Sequence, residues 1–194
     1  MHNRRFASLL LGAWIGCTLF MWMVAVQNFS SVTRVIAAPS TKAAEIIQTL
    51  GEEKARGFLR YQVSEQNRRF FETWEYIQLV FSLIVLLTLL FAKPRVMAAV
   101  VISCVILICL LTERFLLTPQ ITQFGRSMDF MKEGVETAES VRFWIYHHTY
   151  SGVEIFKLCL GVALAVRFLI VSEDEVSRRS KRSRKATTAM SMGD

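Results

Sequence analysis

Glu154 and Lys157 stand three positions apart in an otherwise apolar stretch, so on a helix they share a face and can pair as opposite charges. An ionisable group within a bilayer costs about 2.5 to 3.5 kcal/mol on insertion scales, which makes this pair the first place to look for function. His147, Ser151 and Glu154 fall close to one helical face at spacings of four and three, whereas His148 points about 100° away from His147. Further polar groups stand at the ends of other apolar runs: Gln27 and Asn28, then Glu72 and Glu75, then Glu113 and Arg114. Carboxylates and imidazoles gathered at one mouth have the chemistry to hold a divalent metal or relay protons. The plainer account is that membrane helices meet water here, where paired charges collect with aromatics such as Trp74, Tyr76, Trp144, Tyr146 and Tyr150.

The elements that must position these groups are four apolar runs, at about 6–29, 74–92, 96–112 and 149–171. The first is free of charge between Arg5 and Arg34 and would extend about 36 Å as a helix, enough to span with some tilt. Lys93-Pro94-Arg95 separates the second and third, and a turn this short makes them antiparallel neighbours. Residues 41–72 carry Ile46, Ile47, Leu50, Phe58 and Tyr61 at helical spacing, which predicts an amphipathic helix leading into the second span, with Gly51 and Gly57 as weak points. Residues 118–142 open on Thr118-Pro119 and are read as an interfacial helix or a soluble cap. The expected fold is all-α, an integral membrane bundle of four transmembrane helices with a helical extension before the second span. A basic segment (1–5) precedes the 6–171 domain, and a basic, disordered tail (172–194) follows it.

Lys and Arg concentrate in three segments that four spans place on one side: Arg4 and Arg5, Lys93 and Arg95, and the run after the fourth span. That predicts a multi-pass protein of the cell membrane with both termini cytoplasmic. The tail basics Arg178, Arg179, Lys181, Arg182, Arg184 and Lys185 largely explain the net charge of +7 and suit anionic lipid headgroups. They lack the interleaved aromatics of a nucleic-acid groove, and no nucleic-acid partner is expected. The basic start followed by an apolar run also resembles a signal peptide, but the run is too long for one and is read as a retained helix. The four cysteines fall within the apolar runs and suggest neither disulfides nor a zinc site. Gly12 and Gly16 place small residues four apart in the first helix, a packing face for another helix.

Three motifs carry a resemblance: Leu9-Leu10-Leu11-Gly12-Ala13-Trp14-Ile15-Gly16, Glu113-Arg114-Phe115-Leu116-Leu117-Thr118-Pro119-Gln120-Ile121, and Phe143-Trp144-Ile145-Tyr146-His147-His148-Thr149-Tyr150-Ser151. In order and layout they resemble the uncharacterised four-span family that contains transmembrane protein 205 and its bacterial relatives. The resemblance covers most of 6–171 and implies architecture rather than activity. His148 and Ser151 match its histidine followed by serine three positions on, while Ile155 replaces its usual amide and Glu154 precedes by one. A looser similarity of layout to copper-resistance membrane proteins and four-helix membrane protoporphyrinogen oxidases implies metal or haem, but the first-helix histidine of such haem proteins is missing. No cofactor is therefore expected.

Hydrolase, kinase and nucleotide motifs are absent from the sequence. The leading expectation is a non-enzymatic membrane protein that acts through helix packing, lipids or partner proteins, as a homo-oligomer or in a larger membrane complex. The alternative is a small transport or metal-handling protein using Glu154, Lys157, Glu113, Glu75, Arg114 and a histidine.

Overall fold

Every regular element of this computed structural model is a helix, among the residues it describes: the backbone of 2–91, 97–131 and 136–191, and the side chains of 6–91, 97–131 and 136–168. In chain order these are α1 (His2–Ala37), α2 (Thr41–Leu50), α3 (Glu52–Leu90), α4 (Met97–Thr112), a π-helical turn (Glu113–Leu117), α5 (Thr118–Ser127) and α6 (Ala138–Ser191). Three are long and apolar enough to cross a membrane: Phe6–Ala37, Glu52–Leu90 and the continuous Met97–Ser127. The segment 149–171 is helical within α6, and its side chains are described through Phe168.

The buried positions repeat at alternating steps of four and three. In the stretches that pack together they are Ala7, Leu11, Trp14 and Thr18 on α1; Ala99, Ser103, Ile106 and Leu110 on α4; and Tyr150, Glu154, Lys157, Leu164 and Phe168 on α6, where Gly161 fills the intervening place; Val32 is buried farther along α1. A mean period of 3.5 keeps one seam of each helix turned toward its neighbours, the pattern of knobs packed into holes. At one end the seams form an apolar plug in which Ala7 and Leu11, Val85 and Leu89, Ala99, Leu164 and Phe168 meet. This is the end at which α3 and α4 are joined across 91–97, and it will be called the hairpin end. Toward the opposite end Trp14 bonds Gln78, Tyr76 bonds Arg114, and Gln78 bonds Glu154. The direction therefore alternates through α1, α3, α4 and α6. Lys93, Pro94 and Arg95 lie outside the described residues.

The amphipathic connection is divided at Gly51, which adopts φ +82° and caps α2 through its N–H to the Ile47 carbonyl at 2.9 Å. That left-handed angle is one that glycine adopts without a Cβ penalty, and it separates α2 from α3. Gly57 remains inside α3, so only the first of the two weak points breaks the helix.

Beyond the plug, α1 and α3 stay together. Asn28 Nδ2 donates to Asn67 Oδ1 at 2.7 Å, and Asn67 Nδ2 donates to the Ala25 carbonyl at 3.4 Å. Arg68 makes two bonds of 3.1 Å to Asp129 and one of 2.6 Å to Glu65, and Glu65 also accepts from Arg126 Nε at 3.0 Å. These tie α3 to α5 and the segment after it, where Phe130 stacks on Tyr61 with centroids 5.1 Å apart. Asn67→Leu removes both of these hydrogen bonds and strands the Asn28 amide, so it is expected to cost about 1 to 2 kcal/mol. A thermal melt in mild detergent measures this, and an unchanged midpoint would count against the pairing.

The segment 172–191, expected to be disordered, continues α6 as helix to Ser191. No proline or glycine interrupts the chain between 162 and 191, so nothing in the backbone chemistry stops the helix. The tail basics Arg178, Arg179, Lys181, Arg182, Arg184 and Lys185 lie outside the described side chains, as do Arg4 and Arg5.

Candidate functional site

Four elements turn polar side chains inward at one level. Glu75 and Gln78 come from α3, Glu113 from the π turn, Glu154 and Lys157 from α6, and Trp14 from α1. Glu75, Gln78, Glu113 and Lys157 are 0% exposed, and Glu154 is 2% exposed. Groups of this kind are almost never fully buried unless paired, and here they are.

Lys157 is the centre. Its Nζ donates to Glu113 Oε2, to Glu154 Oε1 at 3.0 Å and to Gln78 Oε1 at 3.3 Å, which uses the three protons of an ammonium. Gln78 Oε1 also accepts from Trp14 Nε1 at 2.9 Å. Because both Trp14 and Lys157 are donors only, the amide must present its oxygen to them. Its Nε2 then faces Glu154 Oε1 at 3.3 Å, which also accepts from Tyr150 OH at 3.3 Å.

Glu75 forms the second half. Thr118 Oγ1 donates to its Oε1, and Arg114 Nη1 stands 3.6 Å from its Oε2 and 3.8 Å from Glu72. Arg114 is held in turn by Tyr76, donating to the phenol oxygen at 2.8 Å and lying 4.6 Å over the ring. It is partly exposed, whereas Glu75 is enclosed, so Arg114 forms the rim of the cluster.

The π turn follows from Pro119. With no N–H there, the Phe115 carbonyl loses its α-helical partner, and the Thr118 N–H bonds to the Glu113 carbonyl five residues back. In an ideal α-helix, positions five apart diverge by about 140°. The wider turn reduces that divergence, so Glu113 and Thr118 both point inward.

Of the residues singled out from sequence, Glu75, Glu113, Glu154 and Lys157 are brought together, with Arg114 at the rim. His147, His148 and Ser151 are not. The His147 ring stacks on Phe143 at 5.6 Å, His148 stacks on Trp144 at 5.6 Å, and Ser151 Oγ donates to the His147 carbonyl. His147 continues the seam of α6 but lies two turns from Glu154, and His148 and Ser151 fall off that seam. Burial pushes the His147 imidazole below its ordinary pKa, and His148 adds to the shift. Among the described residues no side chain or backbone lies against Gly12 or Gly16, because the seam of α1 runs through 7, 11, 14 and 18. Close approach occurs instead at Gly161, where the Trp14 ring occupies the place a Cβ would take.

Gln78, Thr118, Trp14 and Tyr150 are the members that the sequence reading did not pick. Among the described residues no three His, Cys, Asp or Glu side chains are arranged to hold a metal ion. Lys157 sits between Glu113 and Glu154, in the place a cation would need.

No family model, curated protein or solved structure matches the chain.

Proposed function

We propose that the chain is a non-enzymatic four-span membrane protein, with both termini and the hairpin end at the cytoplasm, that moves protons through its buried ionic cluster as part of a transport function. The supporting observation is the charge inventory of that cluster. Three carboxyl groups, Glu75, Glu113 and Glu154, face one ammonium, Lys157, and one guanidinium at the rim, Arg114. Arg114 is also shared with Glu72, so the carboxyl groups outnumber the cations and the enclosed cluster has room for a proton. Buried charge is expensive without function to retain it, and intramembrane carboxylates with a basic partner are the usual parts of proton relays. Metal handling is a weaker version of this reading, since Lys157 occupies the space between the carboxylates.

Counted along the helices at about 1.5 Å per residue, Glu113 lies about 24 Å from the start of α4. On that orientation, and with a hydrocarbon core about 30 Å thick, the cluster would lie in the outer part of the membrane. Arg114 then separates it from the outer water. The basic tail supplies anionic headgroup contact at the cytoplasmic face.

The test is proton flux into liposomes containing the purified full chain, driven by a potassium diffusion potential and read with a pH-sensitive dye. Glu113→Gln is expected to reduce the flux at least tenfold while leaving the helical circular dichroism unchanged. Equal flux in wild type, variant and empty liposomes would refute the reading.

Association through helix packing remains the second reading, favoured by one observation. Gly12 and Gly16 present a small-residue face of α1 with nothing against it, which suits a second copy or a partner helix.

A further inference from the structure

The two cations of the cluster hold their carboxylates differently. Lys157 donates directly to Glu113 and Glu154, whereas Arg114 hydrogen-bonds neither of the carboxylates beside it. Its Nη1 stands 3.6 Å from Glu75 Oε2 and 3.8 Å from Glu72 Oε1, and a charge-assisted bond would need about 2.7 to 2.9 Å. The bond that Arg114 does make is to a neutral group: its Nη2 donates to the Tyr76 phenol oxygen at 2.8 Å. The guanidinium is therefore anchored by one nitrogen and uncommitted at the other.

The two carboxylates within reach of that second nitrogen lie on opposite sides of the boundary between site and solvent. Glu72 and Glu75 are three apart on α3 and so are neighbours on one face. The Glu72 side chain is 44% exposed, the Glu75 side chain 0%. Glu75 Oε1 is taken by Thr118, but its Oε2 is buried without a hydrogen-bond partner. A buried carboxylate oxygen in that state calls for a cation or a proton. A guanidinium is a rigid planar fork of five donors, so it can keep Nη2 on Tyr76 while turning Nη1 to either side. Closing either gap to bonding distance takes about 1 Å of movement.

We propose that Arg114 is the gate of the cluster. Pivoting on Tyr76, it carries Nη1 between Glu75, where it closes the site, and Glu72, where it leaves Glu75 Oε2 open at the rim. The exchange balances in charge. When the guanidinium moves to Glu72, a hydronium ion at the rim gives one proton to Glu75 Oε2 and remains as water. Return of the guanidinium restores the carboxylate and drives the proton off it. The gate deepens the proton-handling reading and rests on it for the identity of the ion, though not for the movement of Arg114.

A water-soluble carbodiimide with a small amine, applied to the full chain in mild detergent, turns carboxyl groups reached by water into amides, and tandem mass spectrometry locates them. Glu75 is expected to label slowly in the wild type. Arg114→Gln removes the gate, and Glu75 labelling is expected to rise at least tenfold. Glu72→Gln removes the outer resting place and holds the guanidinium on Glu75. It is expected to lower Glu75 labelling at least threefold, with labelling of exposed Glu53 unchanged. This second variant is decisive, because it alters a half-exposed side chain and a fixed plug would not respond to it. Glu75 labelled equally in Glu72→Gln and the wild type, or left unlabelled in both the wild type and Arg114→Gln, would overturn the gate. Liposome flux separates the two ideas. The expected order of labelling with no flux in any form rejects proton handling and keeps the gate, whereas flux lost in Glu113→Gln, with equal labelling in Glu72→Gln and the wild type, rejects the gate alone.

Discussion

Lys157→Met is expected to lower the stability of the purified protein by about 3 to 5 kcal/mol, the usual cost of leaving a buried charge without its partner. The reason is local. Glu113 and Glu154 both rely on the Lys157 ammonium through one oxygen, and the other oxygen of each, Glu113 Oε1 and Glu154 Oε2, has no hydrogen-bond partner. Removing the ammonium turns an attraction into a confrontation between two enclosed carboxylates and leaves Gln78 Oε1 with Trp14 alone. The triple variant Lys157→Met/Glu113→Gln/Glu154→Gln removes the charges together and is expected to recover most of the loss, since whole buried ion clusters can be replaced by neutral groups at little cost. Thermal melts in mild detergent decide the matter. A single variant as stable as wild type would mean that Lys157 is not the centre of the cluster. If the triple variant regains stability but shows no liposome flux, the ionic cluster is retained for function rather than for folding.

Gly161→Ala is the second large effect. The Trp14 ring lies so close that an added Cβ overlaps its Cζ3 atom, with Cε3 and Cη2 at 3.3 Å. The indole cannot withdraw freely, because its Nε1 is bonded to Gln78. Overpacking of this kind costs about 1 to 3 kcal/mol, and here it also threatens a bond into the cluster. Trp14→Leu should relieve the overlap, so the double variant should be less damaged by the alanine than the wild type is. Gly12→Ala is the control. Nothing lies within 4 Å of a Cβ there, and alanine is favoured over glycine in a helix interior by about 1 kcal/mol. Stability should hold or rise. If Gly12→Ala were the more harmful of the two, the face of α1 turned to its neighbours would be wrongly identified.

The helical class and three membrane-length segments were legible in the sequence because long apolar runs have few other uses, and the division at Gly51 followed from a residue that alone tolerates φ +82°. Glu154, Lys157, Glu113 and Glu75 were legible because charge beside apolar runs is costly. Gln78 was not, since a neutral amide raises no alarm in a scan for charge. Thr118 was hidden for another reason: only the π turn brings it inward with Glu113, and the signal for that turn, Pro119, read simply as the start of a new segment. The alternation of fours and threes on α4 and α6 would have joined Glu113, Glu154 and Lys157 to one interior and excluded His148 and Ser151. Gly12 and Gly16 name a face of α1 without saying what lies against it, and among the described residues nothing does.

The two cross-links between α1 and α3 bear on how the site moves. Trp14 with Gln78 and Asn28 with Asn67 are rungs of one ladder, set apart by about four turns of α1. Sliding either helix along the other would break both at once, and rotation would break whichever rung lies farther from the pivot. These two helices therefore form the fixed frame. If the cluster handles protons as proposed, the accompanying rearrangement has to be carried by the other pair, α6 and the helix that contains the π turn, in which a single shift of hydrogen-bond register swings Glu113 without unthreading the rest.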